Sequence, residues 1–310
     1  GVIGSNLAAD LYAAGKDVTL LARGAWADIL EERGLVIRSA LSHRSRFYRI
    51  PVIRELGNED IYDLIFVAVR YTQLDSVISA LAKNQSENIV LIGNNLKTGE
   101  CRRKLRGRHL LFAFSMAAGR RERDHVVSLS LRKMVIGRRK TGNINVKLIR
   151  EIFSGTGIGV TCQPDMEDYL LCHAALVVPI AFACYACSGN LKKIRGSRVW
   201  LNRIIDANIE GYRAIENAGH RILPKSDRDF RSKKYRRRYY LFYQLMCASG
   251  LGKICASDHA LGATEEMSAL NEDLKRFFDA HRSNYPVYRK LERWAGNHIN
   301  PKISMHSHNL

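Results

Sequence analysis

The sequence has no apolar run long enough to cross a bilayer, no signal-like N-terminus and no cysteine pattern typical of a disulfide framework. The longest apolar stretch, residues 174–187, predicts a buried helix. The first residues lack a basic segment followed by an apolar one, so we expect no export. The seven cysteines are odd in number and irregularly spaced, which favours a reducing, cytoplasmic location. Cys184 and Cys187 have no matching second pair, so we expect them to pack in a helix rather than to bind a metal.

Acidic residues are scarce beside basic ones. The chain has 30 Asp and Glu against 49 Lys and Arg, and its formal charge is +19. Such a surplus suits anionic cofactors and substrates, and it also attracts polyanions. The densest basic patch, residues 231–240, has two interpretations: contact with nucleic acid through cations and stacked aromatic rings, or a solvated helix face. We favour the second because no nucleic-acid-binding motif accompanies the patch.

The 310 residues contain no internal repeat and no low-complexity segment, and they are long enough for two domains. In the first half, short β-rich runs alternate with helical patterns. This alternation predicts an α/β domain of the Rossmann type, with a parallel sheet, over residues 1–163. The predicted strands are residues 18–22, 64–69, 89–92, 110–114, 126–131 and 159–162. The predicted helices are residues 6–14, 74–82 and 145–153.

Strand signals vanish after Pro164. Helical patterns over residues 165–187, 199–218, 234–249 and 264–283 then predict an all-helical second domain over residues 164–296. The tail, residues 297–310, is polar and has no periodicity, so we expect it to be mobile.

A glycine turn opens the chain and resembles the second half of the dinucleotide-binding motif G-x-G-x-x-G. The turn consists of Gly1, Val2, Ile3 and Gly4. A helical pattern and a strand follow at the spacing of that motif, in which glycines let the backbone approach the pyrophosphate and the helix N-terminus offers free amides. Since the first glycine and its strand are lacking, we expect about seven to ten further residues before Gly1. The competing interpretation is an unrelated glycine-rich turn.

Arginine at the end of the second strand indicates which dinucleotide is bound. An acidic residue there would bind the ribose 2′-hydroxyl of NAD, whereas Arg23 suits the 2′-phosphate of NADP. Arg70 follows the 64–69 strand and adds a second candidate cation. Each arginine has an alternative interpretation as a surface residue in a basic chain.

With these features the sequence resembles the ketopantoate reductase (2-dehydropantoate 2-reductase) family. Residues 67–73 are similar to the family's strand ending V-K-x-x-Q, with Arg70 in place of lysine and Gln73 identical. Residues 92–95 are similar to its Q-N-G turn, which places Asn94 near nicotinamide and substrate. The resemblance implies an NADPH-dependent reductase that acts on the carbonyl of a small 2-oxo acid or related ketone. It also implies a helical domain that forms a homodimer.

The resemblance assigns substrate contacts in the second domain as well. Asp258 together with residues 264–267 is similar to the family's D-x7-E segment, so Glu266 matches the glutamate that binds substrate hydroxyls and takes part in catalysis. Asn190 resembles a substrate-contacting asparagine, and Ser257 stands near a family serine.

The family's catalytic lysine is not matched. The family carries W-x-K here, with the lysine as general acid, whereas residues 169–173 read Tyr-Leu-Leu-Cys-His. Aligned on Pro179, the lysine position falls at Leu170 and His173 lies one turn on, on the same face; aligned on Tyr169, His173 points away. His173 is therefore either a substitute proton donor or a half-buried histidine hydrogen-bonded within its domain.

Two other functions stay open at this point. Loss of the lysine is also compatible with a catalytically impaired, NADPH-binding regulatory protein. A different dehydrogenase with the same two-domain plan, acting on an acid or a sugar acid, is the second possibility.

Overall fold

The computed structural model describes residues 1–138 and 146–299, with side chains as far as residue 296. The chain divides into two compact units, of which the first ends at Met166 and the second begins at Glu167. The first unit is α/β and the second is helical, so the predicted fold class is confirmed. Most of the predicted polar tail lies outside the described residues.

Strands and helices alternate through the first unit. In chain order they are α1 (Val2–Ala13), β1 (Leu20–Leu21), α2 (Ala25–Arg33), β2 (Leu35–Ser39), β3 (Ser45–Tyr48), β4 (Val52–Ile53), β5 (Ile65–Val67), α3 (Leu74–Lys83), β6 (Asn88–Ile92), α4 (Thr98–Lys104), β7 (His109–Arg121), β8 (Val126–Gly137), α5 (Val146–Phe153) and β9 (Gly159–Gln163).

Seven of these strands form one mixed sheet. Its order is β3-β2-β8-β7-β6-β5, and β9 pairs with the last residues of β8. Strands β5, β6 and β7 are mutually parallel, so their carboxyl ends meet at one edge of the sheet. Strands β7 and β8 are antiparallel, and β1 with β4 forms a separate parallel pair. The shared edge of β5 and β6 is where an α/β sheet holds its ligands.

Strands β7 and β8 both run further than the sequence pattern predicts. The prediction ended β7 at Phe114, but the strand continues to Arg121 because it pairs with β8 along that length, Arg121 lying opposite Val126. The continuation needs Gly119, where a Cβ atom would lie 2.1 Å from the Val127 carbonyl oxygen. Strands β2, β3 and β4 were not predicted at all. Pairing with distant strands, rather than local periodicity, creates these elements.

Helix α1 is buried on two sides. Leu7 and Leu11 pack with the central strands β6, β7 and β8, whereas Ala8 and Ala9 pack with Trp26 of α2 and with β2. Each buried leucine stabilises the fold by roughly 1.5–3 kcal/mol. The packing fixes the direction of α1, and with it the position of the glycine turn at its N-terminus.

The second unit consists of helices. They are α6 (Met166–Ala186), α7 (Leu191–Arg195), α8 (Arg198–Asn217), α9 (Lys233–Ala248), α10 (Gly250–Gly252), α11 (His259–Gly262), α12 (Thr264–Ala280) and α13 (Pro286–Ile299). A π-helical segment, Lys253–Asp258, joins α10 to α11.

Helix α6 is the central helix of this unit. Among the described residues it alone is long and apolar enough to span a bilayer, because the helix extends beyond the predicted apolar run of residues 174–187. The mean hydropathy of its most apolar 18-residue window is 1.9, and 78% of that window is buried within the protein. Pro179 lacks the amide that would donate to the Ala175 carbonyl. The buried Asn208 of α8 supplies the replacement, donating from Nδ2 to the Ala175 oxygen at 3.0 Å. This polar contact in the interior sets the register of α8 against α6.

Candidate functional site

The glycine turn forms the first turn of α1. The helix begins at Val2, four residues earlier than predicted, with Gly1 at its N-cap and no side chain capping it. The Ser5 amide makes the first helical hydrogen bond, to the Gly1 carbonyl at 2.9 Å, so the preceding amides have no partner within the helix. A Cβ atom on Gly4 would lie 3.4 Å from the Ala68 Cβ, so Gly4 permits close packing of α1 on the segment after β5. These are the features that bind phosphate at a helix N-terminus.

The predicted cofactor residues Arg70 and Gln73 lie together directly after β5. Arg70 caps the 3-10 turn Tyr71–Gln73, and its backbone amide donates to Gln73 Oε1 at 3.3 Å. This hydrogen bond holds the Gln73 side chain against the backbone of Arg70. The exposed Arg70 guanidinium lies beside the Gln73 side chain. Arg23 is exposed between β1 and α2.

A shallow pocket opens at the carboxyl ends of β5 and β6. Its lining includes the predicted residues Arg70 and Asn94. The other lining residues are Val67, Val69, Tyr71, Leu74, Leu91, Ile92, Gly93 and Asn95. Asn94 Oδ1 is buried there and has no hydrogen-bond partner within the described residues. An unpaired buried acceptor costs free energy unless a ligand satisfies it.

The neighbouring Asn95 has a different role. It is buried, its Oδ1 accepts the Lys97 amide at 2.8 Å, and its Nδ2 contacts Cys101 Sγ at 3.4 Å. The turn that it closes carries Lys97, whose ammonium lies 5.6 Å from the centre of the Tyr71 ring and 2.8 Å from Asp75. Asn95 therefore holds the turn, whereas Asn94 lines the pocket with an oxygen that has no partner in the described residues.

Two of the predicted substrate residues meet in the second unit. Ser257, in the π-helical segment, donates from Oγ to the Gly189 carbonyl at 3.0 Å, and Asn190 is the next residue. Gly189 has φ +75°, and a Cβ atom there would lie 2.9 Å from Ser257 Oγ. The Asn190 side chain caps α7 by accepting the Lys193 amide at 3.2 Å. Gly189, which no sequence pattern singled out, brings these two positions together.

Glu266 lies in the first turn of α12. Burial and, to a smaller extent, the charges of Cys184 and Glu266 raise the pKa of Tyr185, which places Glu266 near that ring. Tyr185 donates its hydroxyl proton to the Ala260 carbonyl at 2.8 Å.

His173 is partly buried on α6, and its ring stacks on that of Tyr169 with the centroids 6.5 Å apart. Burial, followed by the nearby charge of His259, lowers the pKa of His173 to about 4. Its imidazole is therefore neutral at pH 7 unless a bound anion raises the pKa again. The sequence pattern contained no signal for His259 as a neighbour.

The basic patch, residues 231–240, includes the first half of α9. Acidic side chains of the second unit neutralise part of it. The ion pairs are Arg231–Glu216 at 2.5 Å, Arg236–Asp206 at 2.6 Å and Arg238–Asp227 at 2.8 Å. Tyr235 is fully buried and cannot stack on a base. The contacts favour the interpretation of the patch as a helix face built into its own unit.

Residues 1–141 match the family described as ketopantoate reductase PanE/ApbA. This match confirms the predicted resemblance over the first 141 residues. No curated protein matches the chain in sequence.

Solved structures with the same fold align along nearly the whole chain. A 2-dehydropantoate 2-reductase from Geobacter metallireducens GS-15 has a TM-score of 0.80 and 15% identity, covering 96% of this chain and 97% of its own. A ternary complex of D-mandelate dehydrogenase with NADH and anilino(oxo)acetate has a TM-score of 0.77 and 13% identity. The alignment covers 97% of this chain and 96% of the dehydrogenase chain. A dimeric ketopantoate reductase from Staphylococcus aureus has a TM-score of 0.71 and 15% identity, covering 96% of each chain. The chain therefore has the fold of ketopantoate reductase-like oxidoreductases.

Proposed function

We propose that this chain, whose residues 1–141 match the ketopantoate reductase family, is an NADPH-dependent oxidoreductase that reduces the carbonyl of a small 2-oxo acid or related ketone. The observation that carries the proposal is the unpaired, buried Oδ1 of Asn94 at the carboxyl ends of β5 and β6. A nicotinamide carries a carboxamide N–H that such an acceptor can bind. The residues present therefore fit the cofactor.

The phosphate groups of the cofactor would be held by the first unit. The free amides at the start of α1, at Val2, Ile3 and Gly4, offer donors to a pyrophosphate. Arg23 and Arg70 are exposed cations, and Arg23 is assigned to the 2′-phosphate that distinguishes NADP from NAD. NADP rather than NAD is therefore part of the proposal.

When bound, the reduced cofactor supplies the hydride to the carbonyl carbon. Asn94 positions the nicotinamide and the carbonyl. Glu266 accepts a hydrogen bond from the substrate hydroxyl, and Asn190 and Ser257 complete the substrate contacts. His173 donates the proton that the new alkoxide requires, once the negative charge of the bound 2-oxo acid has raised its pKa and protonated the imidazole.

The proposal is tested by following NADPH consumption with a panel of 2-oxo acids that includes ketopantoate and aromatic 2-oxo acids. We expect turnover with at least one member and a lower KM for NADPH than for NADH. Tight NADPH binding with no turnover across the panel would contradict the proposed reduction, and would favour a regulatory protein that binds the cofactor.

His173 also gives a prediction about pH. The unfolded chain has a histidine pKa of about 6.5, and burial lowers the pKa of His173 to about 4 in the folded state. Between these values the unfolded state binds more protons, so the stability that His173 contributes is present above pH 6.5 and is lost as the pH falls towards 4. We expect the melting temperature to fall from pH 7 to pH 5, and to fall less in His173→Gln.

The matched control for this measurement is His109→Gln, at an exposed histidine of β7. This variant should lose stability between pH 7 and pH 5 as the wild type does. An equal loss in His173→Gln and the wild type would contradict the assignment.

A homodimer belongs to the proposal, because the second unit exposes an apolar face on α9. The exposed fractions are 56% for Leu241, 48% for Phe242 and 63% for Leu245. Residues 239–249 contain no Asp, Glu, Lys or Arg, whereas the start of α9 is strongly basic. A second copy packed antiparallel on this face would keep the two basic ends apart, and the Staphylococcus aureus relative is described as dimeric.

We expect Leu245→Glu to weaken self-association at least about 100-fold, because it buries a charge at the contact. Size-exclusion chromatography with light scattering measures the change, and Leu131→Glu, at a leucine of β8 that is 57% exposed, is the control. A monomeric wild type at tens of micromolar, or a Leu245→Glu protein that stays dimeric, would contradict this interface.

A cytoplasmic location is also proposed, on the basis of the thiols. All seven cysteines are free. Cys184, on α6, and Cys187, just after its end, are both buried. Burial raises the pKa of Cys184 to about 12, so its thiol stays protonated and unreactive. This environment supports packing rather than redox chemistry as the role of the pair.

A further inference from the structure

Strand β7 ends in two arginines with different surroundings. Arg120 donates to Glu122 at 2.7 Å and is neutralised by it. The guanidinium of Arg121 makes no hydrogen bond or ion pair with the described residues. Its carbon lies 5.1 Å from the centre of the Trp26 ring. Backbone pairing of Arg121 with Val126 fixes the point from which the side chain extends.

Trp26 determines the position of the Arg121 guanidinium. The indole is 8% exposed and packs with Ala8 and Ala9 of α1, so the face that Arg121 covers cannot move freely. Trp26 lies in the first turn of α2, three residues after Arg23. Arg23 is exposed, and its side chain likewise makes no hydrogen bond or ion pair with any residue that the structure describes.

The positive charge of Arg121 also acts at the glycine turn. Burial lowers the pKa of the Gly1 amine, and the next contributions come from the positive charges of Arg121 and then Arg70. Arg121 therefore lies within electrostatic reach of the turn proposed to hold the pyrophosphate. No sequence pattern indicated it, because Arg121 and Trp26 are 95 positions apart in the chain and only the tertiary fold brings them together.

We propose that Arg121 is a second cation for the phosphoryl group on the adenosine ribose of NADP and, with Arg23, determines the preference for NADP over NAD. The inference rests on the proposed function. A guanidinium suits this task because its planar set of N–H donors matches a phosphate and is always charged. The stack on Trp26 holds the side chain in place before the ligand arrives, which lowers the conformational entropy lost on binding.

Isothermal titration of the full chain with NADPH and with NADH, at one fixed salt concentration, tests the assignment. We expect Arg121→Gln to bind NADPH at least about tenfold more weakly, which corresponds to the loss of a hydrogen-bonded charge contact. Its affinity for NADH should change less than about twofold. Arg120→Gln is the matched control, and it should bind both nucleotides as the wild type does.

The outcomes separate this assignment from the proposed function. A wild type that binds NADPH, with Arg121→Gln unchanged or weakened equally towards both nucleotides, overturns the assignment alone. A wild type that binds neither nucleotide overturns the proposed function and this inference with it. Melting temperatures of the free variants identify a loss of affinity that arises from unfolding, and Arg121→Lys, which keeps the charge, should retain part of the preference.

Discussion

Replacement of Asn94 by leucine is expected to lower kcat/KM for NADPH-dependent reduction about 100-fold, the scale observed when one preorganised polar group is removed from an active site. The folded protein should be at least as stable as the wild type. The Asn94 Oδ1 atom is buried without a partner in the described residues, so its removal relieves a desolvation cost on the order of 1–3 kcal/mol. Steady-state kinetics and urea unfolding measure the two effects.

Asn95→Leu is the matched control, because Asn95 carries the same carboxamide but both its Oδ1 and its Nδ2 have hydrogen-bond partners. It should destabilise the fold by about 1–3 kcal/mol, since the Lys97 amide loses its acceptor. Should Asn94→Leu retain full activity, or should it be the less stable of the two variants, the assignment of Asn94 to the cofactor pocket would be wrong.

Replacement of Asp227 by alanine is expected to destabilise the second unit by about 3–5 kcal/mol, the usual cost of breaking a buried charge network. The carboxylate is 2% exposed and accepts hydrogen bonds from two tyrosines, an arginine and a serine. These donors are Tyr212 at 3.0 Å, Tyr239 at 2.6 Å, Arg238 at 2.8 Å and Ser226 at 3.1 Å. Together they tie α8 and α9 to the loop between them.

Thermal unfolding followed by circular dichroism measures this effect. Asp229→Asn is the control, because Asp229 is exposed two residues away and should change stability by less than about 0.5 kcal/mol. Similar melting temperatures for the two variants would show that the tyrosine and arginine contacts to Asp227 contribute little.

Part of the candidate site was readable from the sequence. The glycine turn, Arg70 with Gln73, and Asn94 all lie at the ends of elements with strong local periodicity, and the structure gathers Arg70 and Asn94 at one pocket. Adjacent parallel strands place their carboxyl ends at the same edge, so short-range patterns were enough to group these residues. The role of His173 was harder to predict, because the alignments on Pro179 and on Tyr169 differed by one residue. The sequence pattern also contains no information about the burial that lowers its pKa.

The sequence by itself determined the alternation of strands and helices in the first unit, the change from α/β to helical structure and the identity of the residues at the ends of β5 and β6. Only the tertiary structure decided that Asn95 is hydrogen-bonded whereas Asn94 Oδ1 has no partner in the described residues, which arginines of the basic patch are neutralised, and that Arg121 lies beside Trp26. Periodicity reports the face that a residue takes within its own element. Ion pairing, burial and strand register depend on residues far away in the chain, which no local pattern contains.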